Sequence, residues 1–323
     1  MTTPGGTDTS PTAGPMTRAA AMVVWEQTGQ RAEPFSVLVD HTDRAVLLTT
    51  ALSSPRGFVR AAEVAAGPRW GGALSGMPRP APGAFGDEPH IVKADRDRGR
   101  LAREARALEL AAAIGVPAPS LRFAGLDATP PVLIMTQVPG LELVADSPDA
   151  DWTAVGAVLR RWHDDAPTDR FEPHWPAGPS VGLDLLDGPG PRRRLTPPVR
   201  RSLAEVLGRL PGVPPTTVVL HGDCAPYHWF LDEGRVSGVI DFGDVGTGDP
   251  MQDLAVLTLW DHDRLPAVLA GYDADDALRA RVRHTVRAYR VLRHLAAVAW
   301  LLDHDIDPEP TCLELERLAD KTA

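Results

Sequence analysis

Cysteine is nearly absent: Cys224 and Cys312 are the only two in 323 residues. A disulfide scaffold is therefore excluded, and the composition suits a reducing compartment. Long apolar runs are missing as well. The longest, such as residues 295–302, fall far short of the roughly 20 residues a membrane-spanning helix needs. Residues 1–18, rich in Thr, Pro, Gly and Ser, carry no apolar signal-peptide core and read as a disordered tail. A cytoplasmic protein without membrane association is expected. Positive charge is in deficit, 33 Lys and Arg against 43 Asp and Glu for a net −10, which argues against a nucleic-acid partner.

The chain is 43% hydrophobic, enough for one large or two modest cores. Its charge is uneven. Residues 221–323 hold 10 Lys and Arg against 19 Asp and Glu, so nearly the whole imbalance lies there. Such a region would concentrate a cationic small molecule, although solvated helix ends explain acidic runs equally well.

The chemistry-bearing stretch is residues 218–253. A short apolar strand, Val218-Val219-Leu220, runs into His221-Gly222-Asp223. Trp229-Phe230-Leu231, a turn at Asp232-Glu233-Gly234 and residues 236–240 then read as a hairpin that delivers Asp241-Phe242-Gly243-Asp244. Apolar strands that end in acidic loops fix carboxylates at the rim of a core. Asp223 and Asp241, 18 residues apart across the hairpin, can therefore converge on one site. Phosphoryl transfer needs such a pair, one carboxylate to orient the acceptor hydroxyl and one to hold Mg²⁺.

His-Gly-Asp, hairpin and Asp-Phe-Gly, followed by Gly-Asp-Pro and Asp-Leu-Ala within residues 248–255, resemble the aminoglycoside phosphotransferase and choline kinase-like family. The resemblance implies an α+β, two-lobed protein-kinase-like fold, with a small antiparallel β N-terminal lobe (residues 19–140) and a mainly helical C-terminal lobe (residues 141–323). It implies ATP or GTP as phosphoryl donor, Mg²⁺, and a small-molecule hydroxyl as acceptor, possibly on a cationic molecule. Asp223 takes the position of the catalytic carboxylate and Asp241 that of a metal ligand. Five residues after Asp223, where the family carries a metal-binding Asn, stands His228. Macrolide phosphotransferases are similar at that position. Imidazole is a poorer Mg²⁺ ligand than oxygen, so the substitution bears on metal preference.

The N-terminal half supplies the remaining parts. His90-Ile91-Val92-Lys93 reads as a strand, and residues 100–114 as a helix with Leu101, Ala105, Leu108 and Ala112 on one face and Gly115 as its stop. Lys93 resembles the family's phosphate-contacting lysine, and Glu104, 11 residues on, the glutamate that aligns it. Residues 131–138, PVLIMTQV, resemble the hinge whose backbone reads the nucleotide base, which names Gln137 and Val138. No G-x-G-x-x-G occurs ahead of them. The hairpin loop at residues 40–44 lacks glycine, and the cluster at residues 71–76 reads as an insertion.

Elsewhere the bland readings prevail. Residues 151–163 form an amphipathic helix ending in His163, a packing or capping residue. Residues 171–198, rich in Pro, Gly and Arg, read as a connection or flap, and Arg192-Arg193-Arg194 as a solvated run. Cys224 reads as a small buried hydrophobe. Asp261-His262-Asp263 and Asp303-His304-Asp305 read as helix termini, and Trp260 and Trp300 as core. Three functions fit: an antibiotic O-phosphotransferase, a metabolic small-molecule kinase, or a non-catalytic nucleotide-binding protein. The oligomeric state is not encoded in these motifs.

Overall fold

A computed structural model of the chain describes residues 20, 31–32, 35–40, 44–49, 52–53, 89–174 and 178–320. The proposed tail, residues 41–43 of the expected hairpin loop and the glycine cluster at residues 71–76 lie outside them. The chain divides into two compact units: residues 1–106 with 119–137, and residues 107–118 with 138–323.

The first unit is built on antiparallel strands. The elements in chain order are β1 (Arg31–Ala32), β2 (Phe35–Asp40), β3 (Arg44–Thr49), β4 (Leu52–Ser53), β5 (His90–Asp95), helix α1 (Arg98–Ile114), β6 (Leu121–Gly125) and β7 (Val132–Thr136). Strands β2-β3-β5-β7-β6 form one sheet, antiparallel at every step, while β1 pairs with β4. In β7 the consecutive Val132, Leu133 and Ile134 are all buried. A strand covered on both faces is continuously apolar instead of alternating, and PVLIM is such a run.

Helix α1 has readable ends. The Asp97 carboxylate accepts the Arg100 backbone N–H at 3.0 Å, an N-cap that satisfies one of the helix's orphan donors. At the other end Gly115 adopts φ +72°, and the Val116 N–H returns to the Ala111 carbonyl at 2.9 Å. That left-handed closing residue is why the helix stops at a glycine. The buried face differs from the expected one: Ala111 is buried and Ala112 exposed, and Glu104 is buried beside Leu101, Ala105 and Leu108. The stripe follows the 3.6-residue period through Leu101, Glu104, Leu108 and Ala111, which a purely apolar count misses because one member is charged.

The second unit is mainly helical. Its elements are β8 (Leu141–Glu142), α2 (Asp149–Asp165), α3 (Pro179–Leu186), α4 (Pro189–Arg194), α5 (Pro197–Leu207), β9 (Val218–Leu220), β10 (Trp229–Asp232), β11 (Arg235–Val239), β12 (Gly246–Gly248), α6 (Met251–Leu257), α7 (Leu265–Gly271), α8 (Asp276–Asp303) and α9 (Glu309–Ala319). Two small sheets, β11-β10-β8 and β12-β9, carry the hairpin and its return strand. Trp152, Val155, Leu159 and Trp162 of α2 are buried, with the Trp162 ring 5.1 Å from Phe242.

Two expectations are corrected here. The Pro- and Gly-rich residues 171–198 are not an open flap: Gly178-Pro179 and Gly188-Pro189 each place proline at a helix N-terminus, so α3 and α4 start there. Proline in the first turn loses no hydrogen bond and has its φ already set, so the pair that reads as a breaker also starts helices. Trp260 and Trp300 are not core; they are 56% and 54% exposed. Among the described residues no helix is long and apolar enough to cross a membrane.

Candidate active site

In the first unit, β5 and the N-terminal part of α1 meet through an ion pair. Lys93 Nζ lies 2.7 Å from Glu104 Oε2, with only 6% and 2% of the two side chains exposed. A pair this buried fixes the direction of the lysine, since neither partner can turn to water. Gln137, at the end of the same unit, donates its backbone N–H to the Pro89 carbonyl at 3.1 Å. Val138 belongs to the second unit, is buried, and packs against Gly238 of β11.

The second unit brings Asp223, His228 and Asp241 together. Strand β9, buried at all three residues, ends at Leu220 and leads into His221. Gly222 follows with φ +86°, and a Cβ there would collide with the Asp244 carbonyl oxygen, so the turn requires glycine. The turn hangs on a buried carboxylate. Asp253, in the first turn of α6, accepts the His221 N–H at 2.7 Å and the Gly222 N–H at 3.0 Å. It also accepts His163 Nε2–H at 3.0 Å, while the Tyr272 hydroxyl donates to His163 Nδ1 at 2.6 Å. Burial alone would raise the Asp253 carboxyl, but the hydrogen bond from His163 and the His221 backbone outweigh it and hold the pKa below the usual value.

His221 Nε2–H donates to the Ile240 carbonyl at 2.9 Å, clamping the two acidic segments to each other. Burial lowers its pKa, which keeps the ring neutral and suited to bracing, not to proton transfer. His228 closes a short 3₁₀ turn, Pro226–His228, and its Nδ1–H donates to the Asp223 carbonyl at 2.7 Å. That bond sets the tautomer, so Nε2 carries the lone pair, and it stands 3.8 Å from Asp241 Oδ2. Asp241 itself sits at φ 60°, ψ 58°, a left-handed conformation that costs a non-glycine residue about 1–3 kcal/mol and clusters at functional sites.

An imidazole nitrogen and a carboxylate oxygen facing each other can share one cation. Among the described residues no cluster of three or more His, Cys, Asp or Glu could enclose a metal. A site with two protein ligands suits an ion that takes its other ligands from phosphate and water.

Several contacts were not legible in the sequence. Arg293 of α8 places Nη2 2.5 Å from Asp223 Oδ1. It is one of six arginines between residues 279 and 293, and nothing in the pattern singles it out. His174 lies over the turn, its backbone N–H donated to the Thr247 carbonyl at 2.7 Å. The role of His163 is larger than packing, since it anchors Asp253. Its position at the end of an amphipathic helix was visible, its partner was not. Cys224 is buried, and burial raises its thiol pKa well above the ordinary value.

A two-lobed arrangement of antiparallel sheet and helices with this acidic hairpin defines a kinase-like phosphotransferase fold. The chain belongs to the phosphotransferase enzyme family APH, whose model matches residues 86–295. It is similar to the aminoglycoside phosphotransferase APH(4)-Ia solved with AMP-PNP and hygromycin B, at 14% identity and TM-score 0.62, covering 93% of this chain and 97% of that one. It is likewise similar to the macrolide 2'-phosphotransferase MphH from Brachybacterium faecium, at 15% identity and TM-score 0.60, covering 94% and 97%. The aminoglycoside phosphotransferase APH(3'')-Id from Streptomyces rimosus aligns at 20% identity and TM-score 0.52, covering 82% and 93%. No curated protein matches the chain.

Proposed function

We propose that the protein transfers the γ-phosphoryl group of ATP or GTP to a hydroxyl of a small molecule, most simply a hydroxylated antibiotic, and so confers resistance. The observation that carries this reading is the Asp223–His228–Asp241 constellation. One carbonyl fixes the His228 tautomer, and the nitrogen left over faces Asp241 at 3.8 Å. The antibiotic acceptor is supported by the neighbours, whose ligands and activities include hygromycin B and macrolides.

In this reading Lys93, aligned by Glu104, contacts the α- and β-phosphates, and the backbone at Gln137 and Val138 reads the base. Asp241 and His228 Nε2 would hold Mg²⁺, which would supply positive charge to offset the charge that develops on the transferred phosphoryl group. Asp223 accepts a hydrogen bond from the acceptor hydroxyl and keeps it in line for attack. His221, Asp253 and His163 hold that loop in place and exchange no proton. Most of the rate comes from positioning and charge stabilisation.

His228 makes the reading testable through the metal. Nucleotide turnover is measured against Mg²⁺ and Mn²⁺ for the wild type, His228→Asn and Asp241→Asn. Asp241→Asn should abolish turnover with either ion. His228→Asn should lower the Mg²⁺ needed for half-maximal turnover and reduce any preference for Mn²⁺. An unchanged metal response in His228→Asn would remove the imidazole from the metal site.

A further inference from the structure

Asp223 shares its carboxylate with a cation that the reaction above does not use. Arg293 Nη2 meets Oδ1 at 2.5 Å, with 19% of the Asp223 side chain and 38% of the Arg293 side chain exposed. The arginine issues from a helix that is held firmly on this face. Arg281 contacts both Asp249 oxygens at 2.9 and 3.0 Å, the Tyr289 hydroxyl meets Asp249 at 3.3 Å, and Arg290 meets Thr258 Oγ1 at 2.6 Å. Arg293 therefore projects from a fixed backbone.

Beside the ion pair lies a cavity of about 20 Å³, with His174, Gly222, Gln252, Tyr289 and Arg293 in its wall and no carboxylate among its lining residues. An acceptor that reaches Asp223 with its hydroxyl brings the neighbouring substituent against this surface. An ammonium there meets a guanidinium, and of the carboxylates bonded to the lining residues Asp249 is paired with Arg281 while Asp253 already accepts the His221, Gly222 and His163 N–H groups. A hydroxyl, ether or carbonyl oxygen instead meets the N–H donors of the guanidinium fork that Asp223 does not use.

We propose that Arg293 is a specificity-determining residue: it admits acceptors whose reacting hydroxyl is flanked by neutral oxygen groups and discriminates against those flanked by an ammonium. The inference rests on the phosphotransferase reading and names its acceptor class. It departs from the cationic acceptor suggested by the acidic residues 221–323, and the two effects act at different ranges. The summed negative charge attracts a cation over roughly a Debye length, about 8–10 Å, whereas Arg293 acts on the atoms next to the reacting oxygen.

The test uses aminoglycosides assayed in pairs, with amines free and after N-acetylation, together with amine-free polyols and macrocyclic alcohols. Phosphoryl transfer is followed for the wild type, Arg293→Gln and Arg293→Lys, with melting temperature and nucleotide affinity as controls for folding. The wild type should show kcat/KM for the free amine at least tenfold below its acetylated partner. Arg293→Gln should shrink that ratio at least tenfold, and Arg293→Lys, which keeps the charge, should preserve it. A structural role alone would lower both members of a pair alike. A wild-type ratio near one, or a ratio unmoved in Arg293→Gln, overturns the inference while leaving the phosphotransferase intact. A wild type that binds nucleotide and phosphorylates no member of the panel overturns the proposed function, and this inference with it.

Discussion

Removing Glu104 should be far more damaging than removing the Lys93–Glu104 pair. The two charges stand 2.7 Å apart with 6% and 2% of their side chains exposed. At an effective dielectric of about 20 their attraction is about 6 kcal/mol, set against the desolvation of both. Glu104→Ala leaves the ammonium buried without its partner, which costs about 3–5 kcal/mol in measured cases, against a total domain stability of about 5–15 kcal/mol. For units of this size that is a fall of roughly 6–20 °C in Tm. The double variant Lys93→Met/Glu104→Leu replaces the pair by apolar groups of similar volume and should recover most of that loss. Its nucleotide affinity should not recover, because the phosphate contact proposed for Lys93 is gone. Thermal unfolding by circular dichroism and nucleotide titration would be run on all three proteins. A double variant as unstable as Glu104→Ala would refute the argument from an uncompensated buried charge. A double variant that binds nucleotide like the wild type would remove Lys93 from the phosphates.

Three further outcomes follow from the geometry. Burial lowers the His294 pKa to about 3, so the fold keeps its imidazole neutral where the unfolded chain takes up a proton. Stability should therefore fall by about 1.4 kcal/mol per pH unit as pH drops from about 6.5 toward 3, and His294→Leu should flatten part of that slope; parallel curves for the two proteins would count against it. Gly222→Ala forces a Cβ into the Asp244 carbonyl at φ +86° and must displace the turn bearing Asp223, so turnover should fall about 100-fold or more while the rest of the fold melts nearly as before. Wild-type turnover in that variant would mean that the turn tolerates the shift. Asp253→Asn weakens the bonds from His221, Gly222 and His163 and should cost about 3 kcal/mol or more. Because the folded carboxyl titrates below its unfolded value, the stability gap between wild type and variant should hold above about pH 4 and close as pH falls further, and a gap that widened in acid would contradict the assignment.

The acidic hairpin was legible because its signals are local. Apolar strands end in acidic residues, glycine marks the turn, and the spacing from Asp223 to His228 and Asp241 is carried within one segment of chain. Helix α1 was equally legible in extent but not in its buried face, which runs through Glu104 and Ala111 and not Ala112; the burial of Glu104 depends on a lysine in a different element. Residues 171–198 were misjudged because Gly-Pro both breaks a preceding helix and begins the next. The exposure of Trp260 and Trp300 depends on which neighbours cover them, and the local sequence pattern does not reveal that. Arg293 and His174 were missed for a related reason. Each reaches the Asp223 turn across a large sequence separation, and a single arginine or histidine carries no mark of its distant partner.

The most direct test is mass spectrometry of acceptors incubated with the purified full-length protein, Mg²⁺ and ATP or GTP, beside Asp223→Ala. The panel spans aminoglycosides, macrolides, other hydroxylated antibiotics and amino alcohols. A gain of one phosphoryl mass on an antibiotic, lost in Asp223→Ala while nucleotide binding persists, is the predicted result. Nucleotide binding without transfer to any acceptor, or transfer undiminished in Asp223→Ala, would contradict the account.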